Sequence, residues 1–139
     1  MRGFFLSMTK QSIAIMLLGN AQANSSRTAL HYARAALQQN YTINCVFLYH
    51  DAVQLASTYP ICPQDEQNIA AEWQALIVQH QLPAVACIAS ALKRGVINST
   101  EAKRHGKDAN NLHPAIELAG LGTWLEALTE CHQHIVFAE

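Results

Sequence analysis

Ser12-Ile13-Ala14-Ile15-Met16-Leu17-Leu18 is an apolar run after its first residue, and Gly19 closes it. No polar residue alternates with the apolar ones, so neither face of this segment is written for water. A short run of this kind, ended by glycine, reads as a strand buried on both faces. Strands of that type belong to parallel sheets, because the crossovers between parallel strands lay helices over both sides.

Working outward, Gly19 to Ser26 is small and polar, a loop. Thr28 to Gln39 places Ala29, Leu30, Ala33, Ala36 and Leu37 at helical spacing, with Ser25 or Ser26 expected as the cap and Asn40 as the stop. Thr42 to Tyr49 is the second strand, and His50 to Gln64 is expected to be a loop broken by Pro60 and Pro63. Asp65 to Gln79 predicts a second helix, with Ile69, Trp73, Leu76 and Ile77 on one face. After Pro83, Ala84-Val85-Ala86-Cys87-Ile88 is a third, short strand. A helix ending near Gly95 follows, then another that Asn98, Ser99 or Thr100 can cap and that stops around His105-Gly106. Trp124 to Thr129 predicts a short helix after Gly120 and Gly122, and His134 to Phe137 a closing strand. Alternating strands and helices predict a single three-layer α/β domain, its mostly parallel sheet covered by helices on both faces.

A chain of 139 residues suits one domain with a core that needs neither disulfide nor metal. Half of the residues are hydrophobic and 14% are charged, which leaves room for a patch that faces a partner subunit. Net charge is −1, and the basic residues cluster only as Lys93-Arg94 and Lys103-Arg104. Direct gripping of nucleic acid calls for a basic face, so no direct nucleic-acid binding is expected. No apolar run reaches the ~20 residues that span a bilayer, so no membrane partner is expected. Met1 to Lys10 carries Arg2 and the short stretch Phe4-Phe5-Leu6, too short for a secretory signal and without a small-residue cleavage site. Residues 1–9 are read as an N-terminal extension, with Met8 as an alternative start, and 10–139 as the domain. A cytoplasmic protein is expected. Cys45, Cys62, Cys87 and Cys131 form no C-x-x-C pair and are read as separate thiols in a reducing compartment.

Open α/β sheets gather reactive groups at the carboxyl ends of their strands. Cys87 stands at such an end, before a helical segment that carries Lys93 and Arg94. The positive pole of a helix favours the thiolate, and a thiolate is what sulfur transfer requires. Such a thiolate attacks the outer sulfur of a donor persulfide and later yields that sulfur to an acceptor thiolate, with no metal, nucleotide or general base. The plainer alternative is that Cys87 is a small buried core residue. Cys45, in the middle of an apolar strand, reads as core. Cys62, between Ile61 and Pro63, reads as an incidental loop thiol. Cys131-His132-Gln133-His134 resembles a ligand cluster, but His105 and His113 lie far back in the chain and no second ligand pair is evident. No metal or cofactor is expected. The Gly19–Ser26 loop lacks a Gly-Lys-Ser/Thr ending and repeated glycines, so it reads as a polar connector bordering the Cys87 pocket rather than a phosphate cradle. No Gly-x-Ser-x-Gly elbow is present. Trp73 and Trp124 read as core anchors or subunit contacts.

The stretch Cys87-Ile88-Ala89-Ser90-Ala91-Leu92-Lys93-Arg94-Gly95-Val96 resembles the active-cysteine segment of the DsrE-like sulfurtransferase family. Val46-Phe47-Leu48-Tyr49-His50-Asp51-Ala52-Val53 resembles the family's second strand and turn, and Leu118-Ala119-Gly120-Leu121-Gly122-Thr123-Trp124-Leu125-Glu126-Ala127 its Gly-Leu-Gly segment. Ala52 departs from the family's usual glycine, which bears on the turn after the second strand and not on the thiol. The resemblance runs from Lys10 to the end of the chain and implies a persulfide relay with Cys87 as the sulfur-bearing residue. It further implies TusB-like and TusC-like partner subunits in a heterohexamer, a TusA-like sulfur donor and a TusE-like acceptor, the sulfur ending as 2-thiouridine at a tRNA wobble position. The alternative within the family is a DsrE-type relay serving dissimilatory sulfur oxidation. Two other classes stand beside these: a non-catalytic structural subunit, and a nucleotide-binding module built on the Gly19–Ser26 loop.

Overall fold

Ile13, Ala14, Ile15, Met16 and Leu17 are all buried, and the strand they form is interior to its sheet. In the computed structural model, which describes residues 10–138, β1 (Ser12–Leu17) lies between β2 (Thr42–Leu48) and β5 (Gln133–Phe137). β3 (Ala84–Cys87) and β4 (Glu117–Ala119) complete the order β4-β3-β2-β1-β5, and every neighbouring pair is parallel. The expected N-terminal extension, residues 1–9, lies outside the described residues.

Alternation of side chains splits the core by face. Ile13, Ile15 and Leu17, with Val46, Leu48 and Ala86, pack toward α1 (Asn24–Gln38) and α2 (Ile69–His80). Those helices supply Leu30 and Ala33, and Trp73, Leu76 and Ile77, the face that the spacing predicted. Ala14, Met16, Cys45, Phe47, Val85 and Cys87 turn the other way, against Trp124 and Ala127 of α5 (Leu121–Glu130). Trp124 lies 6.0 Å from Phe47 between ring centroids. Each large aliphatic side chain so buried stabilises the fold by about 1.5–3 kcal/mol before chain entropy is counted. An irregularity in β2 keeps the pattern in phase: Ile13 faces Ile43 while Ala14 faces Cys45, so Asn44 is the extra residue. Its amide donates to the Ala127 carbonyl at 3.2 Å and ties β2 to α5.

The first helix starts earlier than the sequence suggested. Ala23 holds the cap position without a side-chain hydrogen bond, and Ser25 and Ser26 lie inside the first turn. Ser26 instead donates through Oγ to the Gly19 carbonyl at 2.6 Å, while its own carbonyl accepts from Trp73 Nε1 at 3.1 Å. A hydroxyl committed to closing the β1 exit loop is not available as a cap. Asn40 ends α1 region as expected, with φ of 65°. His50–Ala56 is not loop but a 3-10 helix, stabilised by burial of Ala52, Val53, Leu55 and Ala56. Ala52 sits within that helix and needs no glycine; the left-handed residue of the turn is His50, with φ of 50°. β3 stops at Cys87, one residue before the expected strand end, and α3 (Ile88–Lys93) begins directly at Ile88. α4 (Ser99–Arg104) is capped by Asn98, whose side chain accepts from Glu101 N at 2.8 Å. The three-residue β4 gave no apolar run in the sequence, and α5 starts at Leu121 rather than Trp124.

Candidate functional site

Four backbone segments meet around the sulfur of Cys87. The residue is the last of β3 and at once the N-cap of α3, with φ −60° and ψ 120°, so its backbone is extended where the helix begins. On one side β2 ends and releases Tyr49 and His50; on the other β4 ends at Ala119, paired with Cys87, and releases Gly120 and Leu121. Together with Ile88, Ala89, Ser90, Lys93 and Arg94 these residues line a cavity of about 310 Å³. Cys87 is only 4% exposed, so the cavity is its route to solvent. A mostly buried thiol that lines a small cavity is reachable by a slender group and not by a bulky one.

The pocket wall is pinned by polar links between the β2 exit and α3. Ser90 Oγ accepts from His50 N at 3.2 Å, and Arg94 Nε donates to Asp51 Oδ1 at 2.8 Å. Arg94 also donates to the Ser90 carbonyl at 3.2 Å. His50 therefore keeps its left-handed backbone because the amide that follows Tyr49 is held from outside, and its ring lies 4.1 Å from that of Tyr49. Of the two cations noted after Cys87, Arg94 is committed to the wall, while Lys93 is exposed and carries no ion pair among the described residues.

The other cysteines lie elsewhere. Cys45 is buried in β2, and burial pushes its thiol up to about 11 from the ordinary 9.0. Cys62 is half-buried, its sulfur 3.6 Å from the Gln67 carbonyl, and it lines a separate cavity of about 560 Å³ with Ala21, Gln22 and Arg27. The Gly19–Ser26 loop thus borders that cavity and not the Cys87 pocket, since β2 stands between β1 and β3 and its own exit takes the adjoining place. Cys131 donates to Leu128 O at 3.6 Å, and His132 Nδ1 sits 3.0 Å from both N and Oγ of Ser12. Among the described residues, no three His, Cys, Asp or Glu side chains gather where a metal ion could be held. Trp73 and Trp124 are both buried, as expected of core anchors. Sequence reasoning missed Tyr49, His50 and Ser90 as wall residues; the signal for the first two was their place directly after a strand that neighbours the cysteine strand.

With this geometry in hand, likeness to other proteins bears on the chemistry. The profile of the DsrE/DsrF-like family matches residues 11–137. A sulfurtransferase TusD homolog of Pseudomonas aeruginosa is 39% identical over 124 residues, covering 89% of this chain and 95% of its own. The sulfurtransferase TusD of Salmonella arizonae is 37% identical over 125 residues, covering 89% and 98%. The DsrE protein of Allochromatium vinosum is 38% identical over 121 residues, covering 87% and 93%. In three dimensions the crystal structure of the ychN protein from E. coli superposes with a TM-score of 0.71 at 16% identity, covering 93% of this chain and all of the other, which is a likeness of fold.

Proposed function

The chain belongs to the DsrE/DsrF-like family and is a sulfurtransferase, and on that premise we propose that it carries relayed sulfur as a persulfide on Cys87. The observation that supports this most is the single cysteine sulfur placed at a strand end inside a cavity. In the loading step the Cys87 sulfur attacks the outer sulfur of a donor persulfide R–S–SH. The inner S–S bond breaks, Cys87–S–SH forms, and R–SH leaves with the proton that the Cys87 thiol gave up. In the unloading step an acceptor thiolate attacks the outer sulfur, the bond between that sulfur and the Cys87 sulfur breaks, the acceptor becomes the persulfide, and Cys87 leaves as the thiolate, ready for the next donor. Neither step changes the total oxidation state, so the cycle needs no redox cofactor.

The finer reading places this relay in tRNA wobble-uridine 2-thiolation. Its donor is TusA-like, its acceptor TusE-like, and TusB-like and TusC-like subunits complete a heterohexamer in the cytoplasm. The names of the two TusD relatives support it. No described helix is long and apolar enough to cross a membrane. The second reading, a DsrE-type relay in dissimilatory sulfur oxidation, draws support from the equally similar Allochromatium protein. Co-purification of untagged partners with the tagged chain distinguishes the two by the identity of the proteins recovered.

The test of the thiol assignment is intact-protein mass after incubation with a persulfide-loaded donor. Wild type gains one sulfur atom that dithiothreitol removes, and Cys87→Ser gains none. A Cys87→Ser protein that loads as fully as wild type would falsify the assignment.

A further inference from the structure

Cys87 is the N-cap residue of α3, yet its side chain caps nothing. An N-cap side chain ordinarily accepts from the amides of the first turn that follows it. Among the described residues Cys87 Sγ makes no hydrogen bond at all, whereas the sulfurs of Cys62 and Cys131 each donate to a carbonyl. The residue is 4% exposed, so solvent reaches the sulfur only through the cavity. Its side chain turns away from α3, a helix of six residues, and joins the cluster on the sheet face that α5 covers, with Trp124 and Ala127.

α5 has ten residues, and its start belongs to the same cavity, which Gly120 and Leu121 line. Gly120 is held beside Cys87 because the residue before it, Ala119, pairs with Cys87 between β3 and β4. The N-cap of α5 is Gly120 itself, which has no side chain to offer, and the first turn carries no acidic residue. Thr123 donates to the Gly120 carbonyl at 3.1 Å, but among the described residues the Leu121 and Gly122 amides donate to nothing. Orphan amides of this kind carry the positive pole of a helix and are suited to an anion. A Cβ at Gly120 or Gly122 would meet no atom within 4 Å, so the space before these amides is open. One cavity therefore holds an unpartnered buried sulfur and an uncapped helix start.

We infer that the Leu121 and Gly122 amides hold the outer sulfur of the Cys87 persulfide as an anion. The inference rests on Cys87 as the sulfur-bearing residue. Loading lengthens the side chain by one S–S bond, ~2 Å, and carries the charge from the thiol sulfur out into the cavity. A persulfide ionises more readily than its parent thiol: Cys87–S–SH gives Cys87–S–S⁻, and the proton passes to solvent. The helix that tunes the carried sulfur is then α5, brought alongside by the sheet, and not α3, which merely follows Cys87 in the chain. Held as an anion, the outer sulfur repels stray thiolates and is kept until its acceptor is positioned against it.

The experiment titrates the loaded protein in a Cys62→Ser, Cys131→Ser background. Sodium tetrasulfide loads it: the Cys87 thiolate attacks a terminal sulfur, Cys87–S–S⁻ forms, and trisulfide leaves. Desalting removes the excess, intact mass confirms one added sulfur, and the near-ultraviolet absorbance of the persulfide anion against pH gives the midpoint. Two pairs of variants are compared. Leu121→Pro and Leu121→Ala lack the same side chain and differ in the amide. Proline suits the first position of a helix, and Gly120 before it is extended, with φ −89° and ψ 177°. Gly120→Ser and Gly120→Ala add the same Cβ, and only serine brings a hydroxyl that accepts from the first-turn amides. The groups that face the sulfur are identical within each pair: Tyr49 and His50 after β2, Lys93 and Arg94 with its partner Asp51, and Cys45 in the shared cluster. α5 brings no charged side chain before Glu126. The proline and serine variants are expected to titrate above their alanine partners by about half a pH unit or more, roughly threefold in the ionisation constant. Equal midpoints within either pair overturn the amide site, and the Gly120 pair decides alone if Leu121→Pro fails to fold. A Cys87→Ser protein that takes up as much sulfur as its parent overturns the Cys87 reading instead, so the two failures are told apart.

Discussion

Arg94 Nε meets Asp51 Oδ1 at 2.8 Å, and this contact joins the helix that follows the cysteine strand to the turn that follows its neighbour. The two residues are 43 positions apart in the chain: Asp51 stands in the 3-10 helix that follows β2, and Arg94 at the C-cap of α3, the helix that follows β3. Arg94 lines the Cys87 cavity, and Asp51 holds its guanidinium from outside the lining.

Replacing Arg94 by Ala is expected to cost little stability. The side chains of Arg94 and Asp51 are 25% and 49% exposed, and ion pairs that solvent reaches contribute at most about 1 kcal/mol. The effect falls on function: sulfur loading of Cys87 slows several-fold while thermal unfolding moves only slightly. Arg94→Lys does not restore the rate, because a lysine cannot hold both Asp51 and the Ser90 carbonyl with one planar fork. Equal loading rates in wild type and Arg94→Ala would show that the wall tolerates loss of this link.

Ser90 is buried, and its hydroxyl serves the His50 amide. Ser90→Ala leaves that amide without a partner and is expected to destabilise by about 1–2 kcal/mol. At His50 the backbone φ of 50° decides which substitutions are accepted. His50→Gly unfolds within a few degrees of wild type, whereas the β-branched His50→Val loses about 1–2 kcal/mol. Chemical denaturation with urea reads all three, and a His50→Val midpoint equal to that of His50→Gly removes the strain argument.

Cys45 makes stability fall at alkaline pH. Its folded thiol titrates at about 11 against an ordinary 9.0, because burial disfavours the thiolate. Below pH 9 both states hold the proton and the group contributes fully. Between about 9 and 11 the unfolded chain releases its proton while the folded chain keeps it, so stability declines, by up to about 2–3 kcal/mol. Cys45→Ala, measured by urea unfolding from pH 7 to pH 11, shows a shallower decline than wild type. Parallel curves would place the alkaline loss elsewhere.

Glu72 acts at the other end of the scale. Its hydrogen bond from Arg34, at 2.9 Å, holds the carboxyl below its ordinary 4.5. The stabilisation is present above that value and is lost as pH falls through the lower folded value. Glu72→Gln is therefore expected to be less stable than wild type at pH 7 by under about 1 kcal/mol, since both side chains are about a third exposed. The gap closes in acid. A difference that widens below pH 4 contradicts the assignment.

How far these relationships could be read in advance depends on how local each is. The strands β1, β2, β3 and β5 were legible because each writes an apolar run, Ile13–Leu17, Cys45–Leu48, Ala84–Cys87 and Ile135–Phe137, on the chain itself. The face of α2 was legible for the same reason, as Ile69, Trp73, Leu76 and Ile77 recur at helical spacing. β4 was not, because a strand of three residues with Glu117 exposed carries too little pattern to stand out. Nor was the 3-10 helix at His50–Ala56, which looked like loop beside Pro60 and Pro63 and is held by the burial of Val53 and Leu55 against the core. Ser25 and Ser26 looked like caps by type, but the Gly19 carbonyl claimed Ser26 and only the folded loop brings it near.

The sequence by itself determined a parallel α/β sheet and put one cysteine at a strand end before a helix, since both follow from residue order and side-chain period. Strand order was decided only in three dimensions. That order sets Tyr49 and His50 on one side of Cys87 and Gly120 and Leu121 on the other, and sends the Gly19–Ser26 loop to a different cavity. The physical reason is that a pocket at the ends of parallel strands is built from residues adjacent across the sheet, and hydrogen bonding between strands, which is blind to distance along the chain, settles which those are.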